Sequence, residues 1–290
     1  MMRIAVCQTN IEKNLDWNRY AAKMEKLVSA AKSDGAHMLL MPEYAGTEIC
    51  SSRETDAALY AAIQHLLPQY LELFKRLAVE NQMYIQPGTI LVAAQNDQYV
   101  NRAYFFGPDG GVDYQDKLQL IEYEKNTKLI ARGSEQKLFE TRYGKMGIAI
   151  CYDSEFPEIV RRLVVAGATI ILVPSYTTSV AGYYRVVLSC RARAIENQCF
   201  VAVAFAVGEV AVTEPPEQTY GKSGIFSPAD IGFKDDGIVI ESQMNETGII
   251  TADLDLKQLA SIRENGNTLQ YEDIRYCERL LNMPIMSRIL

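Results

Sequence analysis

Gly147-Ile148-Ala149-Ile150-Cys151-Tyr152-Asp153-Ser154-Glu155-Phe156-Pro157-Glu158 is the stretch that decides the fold. Its first four residues read as a buried strand, Glu155–Ala166 as a helix, and Thr169–Val173 as a second buried strand. Strand, helix and strand in that order make a crossover unit of an α/β protein. The alternation continues downstream with a long helix over about Gly182–Asn197 and a strand at Phe200–Val207. Upstream, Ile4–Gln8 is a strand, and Asn18–Ser33 places Tyr20, Met24, Leu27 and Ala31 on one helical face. His37–Met41 is a buried strand stopping at Pro42-Glu43. A helix over Leu59–Asn81 is expected to break or kink at Pro68. Tyr84–Val92 and Tyr99–Phe106 are expected to form strands around the Asn96-Asp97 turn. After them come a loop at Glu214–Gly224, a hairpin around Asp235-Asp236-Gly237, a strand near Gly248–Asp253 and a helical tail. The economical organisation is one α/β domain over residues 1–260 with a C-terminal extension over 261–290.

Composition narrows the classes. The chain has 290 residues, 48% hydrophobic and 22% charged, which argues against disordered, collagen-like and coiled-coil proteins. Twenty-nine basic residues against 36 acidic ones give a net charge of −7, without any Lys/Arg run, so nucleic acid is not an expected partner. No apolar stretch reaches transmembrane length, and Met1–Asn10 reads as a strand rather than a signal peptide, so the expected location is the cytoplasm. The cysteines at 7, 50, 151, 190, 199 and 277 contain no C-x-x-C pair and are expected to be reduced thiols rather than zinc ligands. His37 and His65 are the only histidines, and neither lies in a strong motif. A hydrolase built on this chain is therefore not expected to use histidine as its base.

Three polar residues follow apolar or extended segments where a loop would present them. These are Glu43 after Met38–Pro42, Lys117 after Tyr114-Gln115-Asp116, and Cys151 after Gly147–Ile150. Ligands of open α/β sheets bind beyond strand C-termini, where Glu43 and Cys151 fall. A thiol at a helix N-terminus, near an ammonium, is expected to be stabilised as thiolate. Taken singly, each has an ordinary structural reading as a buried thiol, a surface acid or a solvated lysine.

Together, M-P-E-Y, D-K-L-Q-L and A-I-C-Y-D-S-E-F-P-E resemble the carbon–nitrogen hydrolases of the nitrilase superfamily. R-A-R-A-I-E-N-Q at Arg191–Gln198 and G-K-S-G-I-F-S-P at Gly221–Pro228 extend the likeness, which runs from about Ile4 to Asp255. Tyr152–Glu155, Ala181–Arg185 and Asp230–Phe233 are most similar to an uncharacterised branch sometimes fused to acetyltransferase domains. The resemblance implies a four-layer αββα sandwich and a homodimer or higher homo-oligomer, with the C-terminal tail forming interface.

The resemblance also implies a Glu-Lys-Cys site. Glu43 would serve as base and acid, Cys151 as nucleophile, and Lys117 with the Tyr152 backbone N–H as oxyanion donors. Glu124 matches a second glutamate seen in relatives and is preferred to its neighbour Glu122. Tyr44, Tyr152, Tyr176 and Arg185 are candidate substrate contacts, while Arg191, Arg193 and Glu196 read as structural ion pairs. Glu155 departs from the arginine that many relatives carry at that place. No metal or organic cofactor is implied. Tyr152-Asp153 after the cysteine, where nitrilases place Trp-Glu, favours a small linear amide or N-carbamoyl substrate. Nitrile hydrolysis, acyl transfer and a noncatalytic binding module stay open as alternatives.

Overall fold

The structure, a computed structural model, describes residues 1–12, 16–50, 55–210, 217–281 and 283–287. Alternation along the strand Met2–Gln8 sets its layering, because successive strand side chains face opposite sides. Ile4 and Val6 join an apolar cluster with Met38 and Leu40 and, from a second sheet, Ile148, Leu172 and Ala202. Ala5 and Cys7 face the other way, onto Met24 and Val28 of helix Trp17–Ser33 and Phe74 and Leu77 of helix Asp56–Asn81. On the far side, Val160 and Leu163 of helix Pro157–Val165, with Val186 and Cys190 of helix Val180–Glu196, cover the second sheet. Helix, sheet, sheet and helix make the expected αββα sandwich.

The first sheet runs Gly248–Leu254, Met2–Gln8, Met38–Leu40, Tyr84–Gln86, Tyr99–Phe106, Ile90–Ala93, with Val112–Asp116 and Ile130–Ala131 also paired to Tyr99–Phe106. The second runs Ile238–Glu241, Gly224–Phe226, Phe200–Phe205, Ala168–Ser175, Gly144–Ile148, Leu138–Thr141. Centres of both sheets are parallel and their edges antiparallel. A parallel bridge between Thr9 and Ala206 joins the two sheets just past the carboxyl ends of Met2–Gln8 and Phe200–Phe205. The strands that lead to Glu43 and Cys151 end in the same direction as these.

Several local expectations change. Helix Asp56–Asn81 runs through Pro68 unbroken. Burial of Tyr60, Ile63, Tyr70, Leu73, Phe74 and Leu77 along one face outweighs the local cost of the proline, about 3 kcal/mol. The Tyr84–Val92 run is two strands, divided at Gly88, whose φ is +76°. Glu155–Ala166 is a 3-10 turn, Cys151–Glu155, followed by a helix that starts at Pro157, where a missing N–H costs nothing. Gly224–Phe226 and Ile238–Glu241 do pair as the expected antiparallel hairpin, with a turn at its end closed by the Gly237 N–H donating to the Lys234 carbonyl at 2.9 Å. Of the expected loop over 214–224, residues 214–216 lie outside the described residues, and Glu217–Thr219 is a strand paired with Gly208–Val210. Helix Leu256–Asn265 runs across residue 260, and Gln270–Leu281 is a further helix.

Candidate active site

Glu43 stands on the chain leaving Met38–Leu40 and is 1% exposed. Its loop is fixed by close backbone approach. A Cβ at Gly88 would lie 1.9 Å from the Pro42 carbonyl oxygen, so only glycine lets the two segments touch. Next to Glu43, Tyr44 adopts φ +63°, an unfavourable conformation held by its N–H donating to Thr89 Oγ1 at 2.9 Å.

Lys117 follows Val112–Asp116, with its N–H on the Asn101 carbonyl at 2.9 Å and its own carbonyl accepting from Gly133 N–H at 2.7 Å. The buried ammonium donates to Glu43 Oε1 at 2.7 Å and to Glu124 Oε1 at 2.9 Å. Asn101 Nδ2 donates to Glu43 Oε1 at 2.9 Å and reaches Glu124 Oε1 at 3.4 Å. Glu124 also accepts the Tyr44 hydroxyl at 2.6 Å and the Ile121 N–H at 2.9 Å, as an N-terminal residue of helix Glu122–Thr127. The rival Glu122 is exposed.

Cys151 has φ +46° and is 5% exposed, and its thiol donates to the Tyr176 carbonyl at 3.5 Å. Buried Asp153 ties this turn to the lysine loop. Its carboxylate accepts N–H groups from Ile150 at 3.1 Å, Leu118 at 3.2 Å and Gln119 at 2.7 Å. From the helix behind, Arg193 donates to the carbonyls of Ser154 (3.0 Å) and Glu155 (3.2 Å) while pairing with Glu196 at 2.8 Å.

Electrostatics assign the resting charges. Burial lowers the affinity of Lys117 for its proton, but two adjacent carboxylates outweigh that, so it stays cationic. Glu124 is likewise penalised by burial, yet Lys117, Tyr44 and the Ile121 N–H hold it below the ordinary range. Glu43 ends above that range, because burial and the Glu124 charge exceed the pull of Lys117. Burial, then the Glu43 charge, push the Cys151 thiol far up, with Lys117 only partly opposing. The resting thiol is therefore neutral, contrary to the thiolate expected at a helix N-terminus. Cys151 opens a five-residue 3-10 turn, and desolvation decides its state.

A cavity of about 230 Å³ has walls that include Tyr44, Tyr60, Tyr123, Tyr176, Asp56 and Glu217; Glu43, Lys117, Glu124 and Cys151 are not among them, and Tyr44 and Tyr176 link it to the cluster through Glu124 and the Cys151 thiol. The Tyr44 and Tyr176 rings meet edge to face at 5.5 Å. Tyr152 instead packs on Phe156, and Arg185 is 62% exposed and 3.5 Å from Glu155; neither is among the cavity walls. In the sequence, Asp153 is marked only as part of the Tyr152-Asp153 pair, not as a tie between loops, and Asn101 is not marked at all. Asp153 lies inside the cysteine motif, two residues past the thiol, which is a usable signal. Asn101 has none, since its direction depends on strand pairing. Among the described residues, no group of His, Cys, Asp and Glu is arranged to hold a metal ion, and no helix is long and apolar enough to cross a membrane.

An αββα sandwich with a glutamate, a lysine and a cysteine gathered at the carboxyl ends of its strands defines the nitrilase superfamily class. The chain belongs to the carbon–nitrogen hydrolase family, whose model matches residues 3–264. Probable hydrolase YhcX of Bacillus subtilis is 35% identical over 276 residues, covering 94% of this chain and 54% of that protein, so the chain spans about half the length of this relative. A 2-oxoglutaramate amidase of the same organism is 30% identical over 204 residues, covering 69% of this chain and 72% of that one. The crystal structure of Saccharomyces cerevisiae Nit3, a member of branch 10 of the nitrilase superfamily, shares the fold with a TM-score of 0.74. That likeness covers 91% of this chain and 93% of the yeast chain at 22% identity.

Proposed function

We propose that this protein hydrolyses a small linear amide or N-carbamoyl compound through a thioester on Cys151. The observation that carries the reading is the single buried ammonium shared by Glu43 and Glu124 beside a buried, neutral thiol. Among the described residues Glu124 accepts from Lys117, Asn101, Tyr44 and the Ile121 N–H, whereas Glu43 meets Lys117, Asn101 and the Cys151 thiol, so Glu124 holds the lysine while Glu43 is placed to exchange a proton with the sulfur. Glu43 takes the thiol proton as Sγ attacks the carbonyl carbon, so no free thiolate accumulates. The oxyanion forms against Lys117 and the Tyr152 N–H; a donor of this kind is worth about 3–4 kcal/mol in a buried site. Collapse of the adduct breaks the C–N bond, and the proton on Glu43 leaves with the amine or ammonia. Glu43 then takes a proton from water, whose oxygen attacks the thioester, releasing the acid and restoring the thiol. The 2-oxoglutaramate amidase relative supports amide over nitrile chemistry.

Intact mass and ammonia release with a panel of amides and ureides test this. The expected result is a transient acyl adduct and ammonia release, both lost in Cys151→Ala. Full turnover by Cys151→Ala overturns the mechanism, and acylation without hydrolysis replaces it with acyl transfer.

A further inference from the structure

The walls of the cavity that Tyr44 and Tyr176 join to the catalytic cluster carry a charge pattern that the chemistry at the sulfur does not require. Tyr123 donates its hydroxyl to Asp56 Oδ2 at 2.6 Å, and Tyr176 donates to Glu217 Oε2 at 2.8 Å. Both carboxylates are thus oriented as acceptors. Asp56 Oδ1 and Glu217 Oε1 have no hydrogen-bond donor among the described residues. No lysine or arginine is among the described residues lining the cavity. The remaining walls are aromatic: Tyr44, Tyr60, Tyr123 and Tyr176. Ring faces carry partial negative charge and attract ammonium groups, most strongly where water is excluded.

Tyr176 sets the spacing between this region and the nucleophile. Its backbone carbonyl accepts from the Cys151 thiol, and its hydroxyl tip donates to Glu217. A chain of a few methylenes, bonded to the sulfur through its acyl carbon, would carry its far end along one tyrosine side chain to that carboxylate. An ammonium there gains two acceptors and the aromatic walls, whereas a carboxylate meets two like charges and loses its hydration.

We propose that this cavity selects linear amides bearing a positively charged amino group at the end remote from the scissile bond, with Asp56 and Glu217 as the specificity residues. This rests on the amide-cleaving role proposed for Cys151, and it separates the chain from its 2-oxoglutaramate amidase relative, whose named substrate is an anion.

A matched series tests it: butanamide, 4-aminobutanamide and succinamate, read as kcat/KM by ammonia release. The expected order is ammonium over neutral by about tenfold, the ratio that 1.4 kcal/mol gives, with the anionic amide below the neutral one. Glu217→Gln and Asp56→Asn should each shrink the ammonium-to-neutral ratio several-fold, and raising the salt concentration should shrink it further. Equal or better turnover of butanamide or succinamate overturns the specificity while leaving the hydrolase standing. A wild-type ratio as expected that neither variant alters overturns the assignment to these two residues. Absence of any acyl-enzyme with all three amides and with the wider panel removes the hydrolase role, and this proposal with it.

Discussion

Lys117 is the residue on which the cluster depends, because among the described residues it is the cation that pairs with both buried carboxylates. Lys117→Met should cost about 3–5 kcal/mol in urea unfolding by leaving both acids without their counter-charge, besides abolishing turnover. Glu43 governs the pH dependence. Its raised value means that the ionised, proton-accepting form is lost as pH falls through a point above the ordinary glutamate range. The acid limb of kcat/KM should therefore lie above that of a solvated glutamate. Asn101→Leu removes a hydrogen bond that favours the anion and should move this limb up by about one pH unit. A limb unchanged in the variant would remove Asn101 from the control of Glu43.

At the scale of elements, the site is held by segments that cross between strands. Gly88 lets the loop after Tyr84–Gln86 touch the Pro42 carbonyl, and Asp153 fastens the cysteine turn to the lysine loop. Gly88→Ala combines a positive φ with a clash against backbone, which cannot move aside without displacing Glu43. It should lower stability by about 2 kcal/mol or more and reduce kcat by a larger factor than thermal unfolding alone explains. An alanine variant with wild-type kcat would show that the Pro42–Tyr44 loop tolerates displacement. Asp153 is pushed up to about 7 by burial, against the pull of its backbone donors and Lys117, so the tie itself is sensitive to pH.

For the whole molecule, pH also acts through Glu48, which is buried on the 3-10 turn Ala45–Cys50 and bonded to Lys23 at 2.8 Å. Burial raises it to about 7, with Lys23 opposing. Between its unfolded and folded values the native state holds the proton more tightly than the unfolded chain. This group's favourable contribution is therefore full below the unfolded value and is lost as pH rises through 7. The stability difference between wild type and Glu48→Gln should fall by on the order of 3 kcal/mol from pH 4 to 8, measured by urea unfolding; a flat difference would place Glu48 at its ordinary value. On the outer helical face, Val165, Tyr184 and Leu188 are more than half exposed. We propose that this face, with residues 261–290, forms a homodimer interface. Light scattering should give twice the chain mass, and Leu188→Asp should shift it toward the monomer; a wild-type monomer excludes the dimer.

The α/β class and the order of the strands were legible in the sequence because periodicity is a local property of the chain, and the motifs carrying Glu43, Lys117, Cys151 and Glu124 pointed to the candidate site through their family resemblance. Tertiary structure alone decided that Asn101 and Asp153 join them, since a mid-strand asparagine acquires its direction from pairing and a turn aspartate from the loop it meets. It also decided that Pro68 sits in an unbroken helix and that the thiol rests neutral, because burial against distant segments outweighs proline's local cost and a helix end's local field. The carboxylates at Asp56 and Glu217 carried no mark of their own in the sequence; folding brought them to one cavity, where charge acquires meaning from what surrounds it.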